Sequence, residues 1–386
     1  MKIAIYYPWL YLRSGVERMM LELVRRSRHD WTIFTSHYNP EQTFPEFSDM
    51  EIVELTKVSV NRGYPPVSAA AVTILRQKID LSHYDALVVS SEGLGDFITF
   101  RNHDVPVICY CHTPLKVIHD RFVREKYLNE NPRMKLPFII FSAIFRFFDR
   151  LAWKHYKHVF CNSNEVNNRI LSSGLAPNKK VEVLRPGLDV SQMQPTWVYE
   201  KYFVVVGRIK WWKNVELAIE SFREFKRRNP EFSEFKLQIT GQVENGSEGY
   251  FAMLSDIAGN SGDVIFKRDP TESELLEAYR SSYCLLFPSL NEDWGMTPLE
   301  AMSFGKPVIA VNQGGPKESV VDGVTGYLVS PEPGAFADAM ARLAGDPKLT
   351  RELGEAATDR VQMYDWSHFV ERFDAYLDSL PVRKGN

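Results

Sequence analysis

The sequence predicts an α/β protein of two doubly wound domains, each a sheet of parallel strands covered by helices. Three observations carry that expectation. Short apolar runs alternate with segments of helical periodicity, and this βαβα order is repeated over two halves of the chain. The 386 residues are too many for one ordinary domain and suit two of roughly 180 each. Residues 285–310, LLFPSLNEDWGMTPLEAMSFGKPVIA, form a strand–loop–helix–strand unit. Its polar loop lies at the strand's carboxyl end, which is where open α/β sheets bind ligands.

Taken in order, Lys2 to Tyr7 is the first strand. Met1 to Leu12 also holds a lysine and an apolar run, but it ends at Arg13 without a small-residue cleavage site, so a strand explains it better than a signal peptide. Ser14-Gly15 then opens a helix with Met19, Met20, Leu23 and Val24 on one side. A glycine at such a turn lets backbone amides approach an anion, and the helix dipole favours it, although turns select glycine in any case. Strands follow at about 31–35, 86–90 and 106–111, with Gly93-x-Gly95 after the second of these. That pair mimics a dinucleotide fingerprint, but Ile98 stands where the last glycine belongs. Cys111-His112-Thr113-Pro114 closes a strand at a proline turn, and its lone His112 is read as either structural or catalytic.

Leu136 to Phe148 is apolar almost all round, bracketed by Lys135, Arg146, Arg150, Lys154 and Lys157. Two readings of residues 134–158 stand side by side: a helix wedged inside the first domain, or a face that lies on anionic lipid. Val159 to Asn162 and Val181 to Leu184 complete the first half. Arg185-Pro186-Gly187 and the polar stretch to Glu200 read as a linker, so the domains run over 1–184 and 185–365. Strands at Phe203–Val206, Leu237–Thr240, Val264–Phe266, Leu285–Phe287 and Val308–Val311 build the second half, with helices at 214–228 and 272–281. Within 285–310, Thr297 has the form of an N-cap, Pro298 of the first helical residue and Glu300 of the third, with Gly305 as the stop. From Trp366 the chain is an amphipathic helix carrying Phe369, Phe373, Tyr376, Leu377 and Leu380.

The bulk properties exclude several classes. A net charge of −3 argues against a nucleic-acid binder. The four cysteines (Cys109, Cys111, Cys161, Cys284) sit in or beside apolar runs and read as reduced core thiols, which fits a cytoplasmic protein. Cys109 and Cys111 beside His112 lack a second ligand pair, so no metal site is expected there. No segment offers about eighteen uncharged apolar residues, so no bilayer span is expected.

Two clusters carry the candidate chemistry. Gly207-Arg208-Ile209-Lys210-Trp211-Trp212-Lys213-Asn214 follows the second half's first strand, so Arg208 and Lys213 straddle one turn. Two cations there would stabilise a departing diphosphate more than its bound precursor, or they decorate a solvated surface turn. Glu292 and Glu300 lie either side of Gly295. From spacing alone Glu300 is equally the carboxylate of a capping box, and Glu292 a solvated loop acid.

Their company tips the balance. Glu292, Gly295, Glu300 and the following Ala301-Met302-Ser303-Phe304-Gly305-Lys306-Pro307-Val308-Ile309, with Gly207-Arg208 and Lys213, resemble the signature of the family-4 retaining glycosyltransferases across nearly the whole chain. The resemblance implies the GT-B fold: two Rossmann-like domains facing across a cleft, with the helix of 366–386 returning to the first. It implies that Glu292 contacts the donor sugar, that Glu300 holds the ribose, and that Arg208 and Lys213 meet the diphosphate. The backbone at Trp294, Gly295 and Met296, with Thr297, belongs to the donor side, as do Gly15, Gly241 and Lys267. His112 is placed beside the donor sugar, facing the acceptor. The base pocket departs from the family, which commonly has a glycine two residues after the phenylalanine at 266; this chain reads Phe266-Lys267-Arg268-Asp269.

Glu292-Asp293-Trp294-Gly295-Met296-Thr297 and Gly314-Gly315-Pro316-Lys317-Glu318-Ser319 look most like the mannosyltransferases of lipid-linked or O-antigen saccharide assembly. The resemblance therefore implies a GDP-mannose donor, with UDP-sugars as the alternative, and a saccharide or lipid-linked acceptor. It places the protein in the cytoplasm or peripherally on the inner face of the cytoplasmic membrane. No Asp-x-Asp and no Gly-Lys-Ser/Thr loop occurs, so no metal and no cofactor are expected beyond the nucleotide sugar. A nucleotide-sugar epimerase and a non-catalytic sugar-nucleotide-binding subunit are the rival classes.

Overall fold

The computed structural model describes residues 1–61, 63–243 and 246–381. The chain forms two compact units, Met1–Pro186 joined by the segment from Trp366, and Gly187–Asp365. The first is built on seven strands: β1 (Lys2–Tyr6), β2 (Asp30–Thr35), β3 (Ile52–Glu54), β4 (Ala86–Ser91), β5 (Val107–Cys111), β6 (Tyr156–Cys161) and β7 (Val181–Val183). All pair in parallel, in the order β3-β2-β1-β4-β5-β6-β7. The second holds β8 (Tyr202–Val206), β9 (Lys236–Gly241), β10 (Val264–Arg268), β11 (Cys284–Phe287), β12 (Val308–Val311) and β13 (Gly326–Val329). These too are parallel, in the order β10-β9-β8-β11-β12-β13.

The central strands are almost wholly apolar, Ser90 and Ser91 at the end of β4 excepted, because helices cover both faces. β4, β5, β11 and β12 are buried at every residue. Each sheet reverses its winding once, between β1 and β4 and between β8 and β11. The loops after those strands diverge and leave a crevice at their carboxyl ends.

Two strands escape the sequence reading. β3 is a short, half-exposed edge strand. β13 opens on Gly326, at φ 148°, where any Cβ would overlap the carbonyl of Val308. The Trp366–Asp378 helix packs on the first unit: Phe373 touches Trp31, Tyr110 and Phe160, Asp374 accepts from Ser27 Oγ at 2.6 Å and Arg28 N at 3.0 Å, and Arg372 pairs with Glu182 at 2.6 Å. All four cysteines are buried and none of them is in a disulfide.

The apolar stretch after residue 134 forms one helix, Lys135–Trp153, and is not apolar all round in its setting. Phe138, Ser142, Phe145, Asp149, Ala152 and Trp153 are buried. Its inner face is pinned by polar groups as well as packing. His119 Nε2 lies 2.9 Å from Asp149 Oδ2, and Trp153 Nε1 donates to Asp96 Oδ2 at 3.1 Å. Burial pushes His119 down to about 4 and raises Asp149 well above the carboxylate range, so the pair is held without net charge. The outer face is exposed, so a wedge reading describes only half of the helix. Among the described residues no helix is long and apolar enough to cross a membrane.

Candidate functional site

The second unit gathers its polar side chains where the winding reverses. β8 leads into Gly207–Asn214 and β11 into Pro288–Gly295, so the two loops rise from adjacent strands. Lys213 closes the gap: its Nζ lies 2.7 Å from Glu292 Oε2, both side chains being about one-fifth exposed. Lys213 also stands over the Phe287 ring at 5.6 Å, and Asn214 Nδ2 donates to Pro288 O at 3.2 Å. Gly207, Arg208, Lys213, Phe287, Pro288 and Ser289 share the lining of one small cavity. Arg208, Lys213 and Glu292 are thus brought together.

Glycines make this convergence possible. Gly207 runs at φ 143°, and a Cβ on Gly241, at the end of β9, would overlap the Gly207 carbonyl oxygen. Gly241 therefore acts by letting the Arg208 loop close against β9, where Ile209 N donates to Gln242 O at 2.9 Å. Gly314 (φ 67°) and Gly315 press against the backbone of Glu292 and Trp294, and Gly315 N donates to Glu292 O at 2.8 Å. The Glu292 loop rests on bare main chain. Side chains there would push it away from Lys213.

The Met296–Ser303 helix starts earlier than its sequence pattern suggests. Its N-cap is Gly295, at φ 88°, and Thr297 and Pro298 already lie inside the first turn. Thr297 is therefore no N-cap, and Glu300 falls beyond capping-box reach. With that structural duty gone, Glu300 Oε2 accepts instead from the Tyr279 hydroxyl at 2.6 Å. Tyr279 is 1% exposed and stacks on Phe304 at an interplanar angle of 14°. Burial raises its hydroxyl well above the usual range, and the neighbouring Glu300 carboxylate adds to this, so it remains a proton donor. Tyr279 lies within a helix, Glu272–Arg280, whose apolar periodicity does not distinguish it from a core residue. The sequence offered no signal for it.

Trp294 points inward. It is 2% exposed and meets Tyr364 edge-on at 5.3 Å, so only its backbone is offered to a ligand. Lys267 is not brought to the other cations. It is exposed on the edge strand β10, with β9 between it and β8. Among the described residues no three or more His, Cys, Asp or Glu side chains are grouped to hold a metal ion.

The first unit has its own polar cluster at its own point of reversal. Tyr7, just past β1, donates to Glu92 Oε2 at 2.9 Å across to the loop after β4. Gly15 begins the Gly15–Arg26 helix, and a Cβ there would meet nothing within 4 Å. The Ser14 side chain caps Val16 N at 3.3 Å and donates to Glu17. Glu17 is fully buried, and desolvation, reinforced by the charge of Glu92, pushes its carboxyl up to about 7 against the hydrogen bond from Ser14. The helix start is thus furnished with a carboxyl as well as amides, which the single glycine did not announce.

His112 follows β5. Its Nε2 is 2.9 Å from Ser90 Oγ, its ring meets Tyr110 edge-on, and its carbonyl accepts from Asn162 Nδ2 at 2.9 Å. Burial drives its pKa down to about 3, so it is a neutral imidazole across the physiological range.

Two parallel α/β units, the second with paired cation and carboxylates at its reversal point, define a glycosyltransferase of the GT-B fold. Comparison with known proteins agrees. The model for glycosyl transferases group 1 matches residues 195–360, and that for Glycosyltransferase Family 4 matches residues 13–192. The alpha-1,3/1,6-mannosyltransferase ALG2 of Homo sapiens is 31% identical, covering 96% of this chain and 94% of its own. The protein of the same name from Dictyostelium discoideum is 26% identical over 98% of both chains. The crystal structure of Anabaena HepE in complex with UDP superposes with a TM-score of 0.75 at 16% identity, covering 98% of this chain and 100% of its own, a likeness of fold. The chain belongs to the family-4 glycosyltransferases.

Proposed function

We propose that this enzyme transfers mannose from GDP-mannose, with retention of configuration and without a metal ion, to a saccharide or lipid-linked saccharide acceptor. The observation that carries the reading is the Lys213–Glu292 pair beside Arg208, with Glu300 held by Tyr279, in one parallel-sheet unit. In this reading Arg208 and Lys213 meet the negative charge that develops on the diphosphate as the glycosidic bond breaks. Glu292 holds sugar hydroxyls, and Glu300 accepts from the ribose. In a front-face displacement the departing phosphate oxygen takes the acceptor proton. A neutral His112 suits a hydrogen-bonding role toward sugar hydroxyls, since burial opposes its protonation. The mannosyl donor is supported by the mannosyltransferase names of the relatives that span this chain. A place on the inner face of the cytoplasmic membrane accords with a lipid-linked acceptor.

The test has two arms. In a melting assay, GDP raises the transition of the full-length protein and UDP does not, since a ligand that binds only the native state stabilises it by mass action. With labelled GDP-mannose and a lipid-linked acceptor, transfer persists in excess chelator. Stabilisation by UDP alone moves the assignment to a UDP-sugar, and strict magnesium dependence removes the metal-free mechanism. Epimerised donor formed without acceptor makes the protein an epimerase.

A further inference from the structure

The Lys135–Trp153 helix has an outer face that nothing in its unit covers. Leu136 is 67% exposed, Ile140 and Ile144 are 54% each and Phe147 is 61%, with Ile139 and Phe148 beside them. Positions 136, 139, 140, 144 and 147 recur at the spacing of one helical stripe. The opposite stripe, with Phe138 at 1% and Phe145 at 4%, is core. Exposed apolar side chains in isolation are ordinary, but a continuous row along one long helix is not.

Charge surrounds that row with one sign. Residues 121–158 carry nine Lys and Arg against three Asp and Glu, and 131–148 contain no acid at all. Two of those acids are engaged, Glu125 by Arg121 and Glu130 by Lys126, and Asp149 is buried. Among the described residues, Arg124, Arg133, Lys135, Arg146 and Arg150 pair with no carboxylate. Arg146 and Arg150 donate to main-chain carbonyls of Ile118 and Ser173, at 2.9 and 3.3 Å. At helical spacing these two arginines fall along one border of the apolar stripe.

We propose that this face docks on an anionic lipid bilayer, its aliphatic and aromatic side chains entering the boundary between headgroups and acyl chains while the unpaired cations meet lipid phosphates. A helix of 19 residues is about 28 Å long and presents apolar side chains to solvent on one face only, its other face being held in the core, so it lies in the membrane plane and does not cross it. A second copy of the chain fits the same face poorly. An antiparallel two-fold contact along this helix would bring Arg133 and Lys135 of one copy toward Arg150 of the other, with no acid between 131 and 148 to compensate. The bilayer assignment is independent of the donor chemistry, and its test uses no donor.

The experiment is co-sedimentation of the full-length protein with vesicles of phosphatidylcholine, alone or with roughly a third phosphatidylserine, at low and high salt. The wild type binds the anionic vesicles, at least about tenfold more tightly than the neutral ones, and salt weakens the binding. Arg133→Glu/Lys135→Glu removes that preference. Ile140→Glu/Phe147→Glu abolishes binding while its melting transition stays within a few degrees, because both side chains are already in water. Equal binding to both vesicle types, no binding by the wild type, or unchanged binding by both variants overturns the proposal. So does a wild-type dimer that Ile140→Glu/Phe147→Glu disperses, found without lipid binding. If the apolar variant fails to fold, the cation variant and the salt response of the wild type still decide.

Discussion

Replacing Tyr279 with phenylalanine removes one hydroxyl and leaves the ring on Phe304. The lost contact is a hydrogen bond to the Glu300 carboxylate at 2.6 Å. Bonds to charged acceptors contribute about 1.5–3 kcal/mol. Glu300 is only partly buried, so water replaces part of the loss and the lower end, about 1.5 kcal/mol, applies. That corresponds to about a tenfold weaker nucleoside diphosphate if the hydroxyl holds Glu300 in its ribose-binding rotamer. The assay is calorimetric titration of GDP and 2′-deoxy-GDP into wild type, Tyr279→Phe and Glu300→Gln. The expected pattern is a loss for GDP in both variants, with little change for the deoxy ligand in Tyr279→Phe. If Glu300→Gln weakens GDP and Tyr279→Phe does not, Tyr279 is only a core residue. If neither weakens it, the ribose assignment of Glu300 is wrong.

Other outcomes follow from the same geometry. Arg208→Ala lowers kcat about ten- to hundredfold with a smaller effect on melting, measured by steady-state transfer and calorimetry, because its charge is needed most as the diphosphate departs. Gly314→Ala forces a Cβ into the Glu292 main chain from a φ of 67°, so it costs kcat by displacing that loop and stability by a few kcal/mol, on the order of 2–3. Glu17→Gln stabilises the protein at pH 8 by about 1–3 kcal/mol and does nothing at pH 4.5, read from urea midpoints. The sign follows from a native value of about 7 above an ordinary 4.5: folding takes up a proton between the two, the native state carries the full cost of a buried anion above pH 7, and the cost vanishes below 4.5.

Most of the parallel framework was legible because a strand buried on both faces must be apolar over four or five residues, as at Leu285–Phe287 and Val308–Val311. β3 and β13 were not, since edge strands need neither length nor continuous apolarity. Thr297-Pro298-x-Glu300 carries the letters of a helix start, yet Gly295 reaches φ 88° and begins the helix sooner. Local capping preference lost to the turn that positions Glu292. Arg208, Lys213 and Glu292 were legible as types and spacing. Their pairing was not, because it joins loops 79 positions apart through strand order. The place of Lys267, two strands from β8, was hidden for the same reason: strand order decides which loops lie side by side.

The ion pair between Lys213 and Glu292 changes what an affinity measurement means. These two groups pair with each other at 2.7 Å, so a ligand that engages both competes with that pairing. Its binding free energy is the balance of an exchange, smaller than the sum of the contacts it makes. Truncating either partner takes this pairing from the other, and the single substitutions will not add up to the double one. Only a cycle of all four forms, titrated with the same nucleotide, apportions the interaction between protein and ligand.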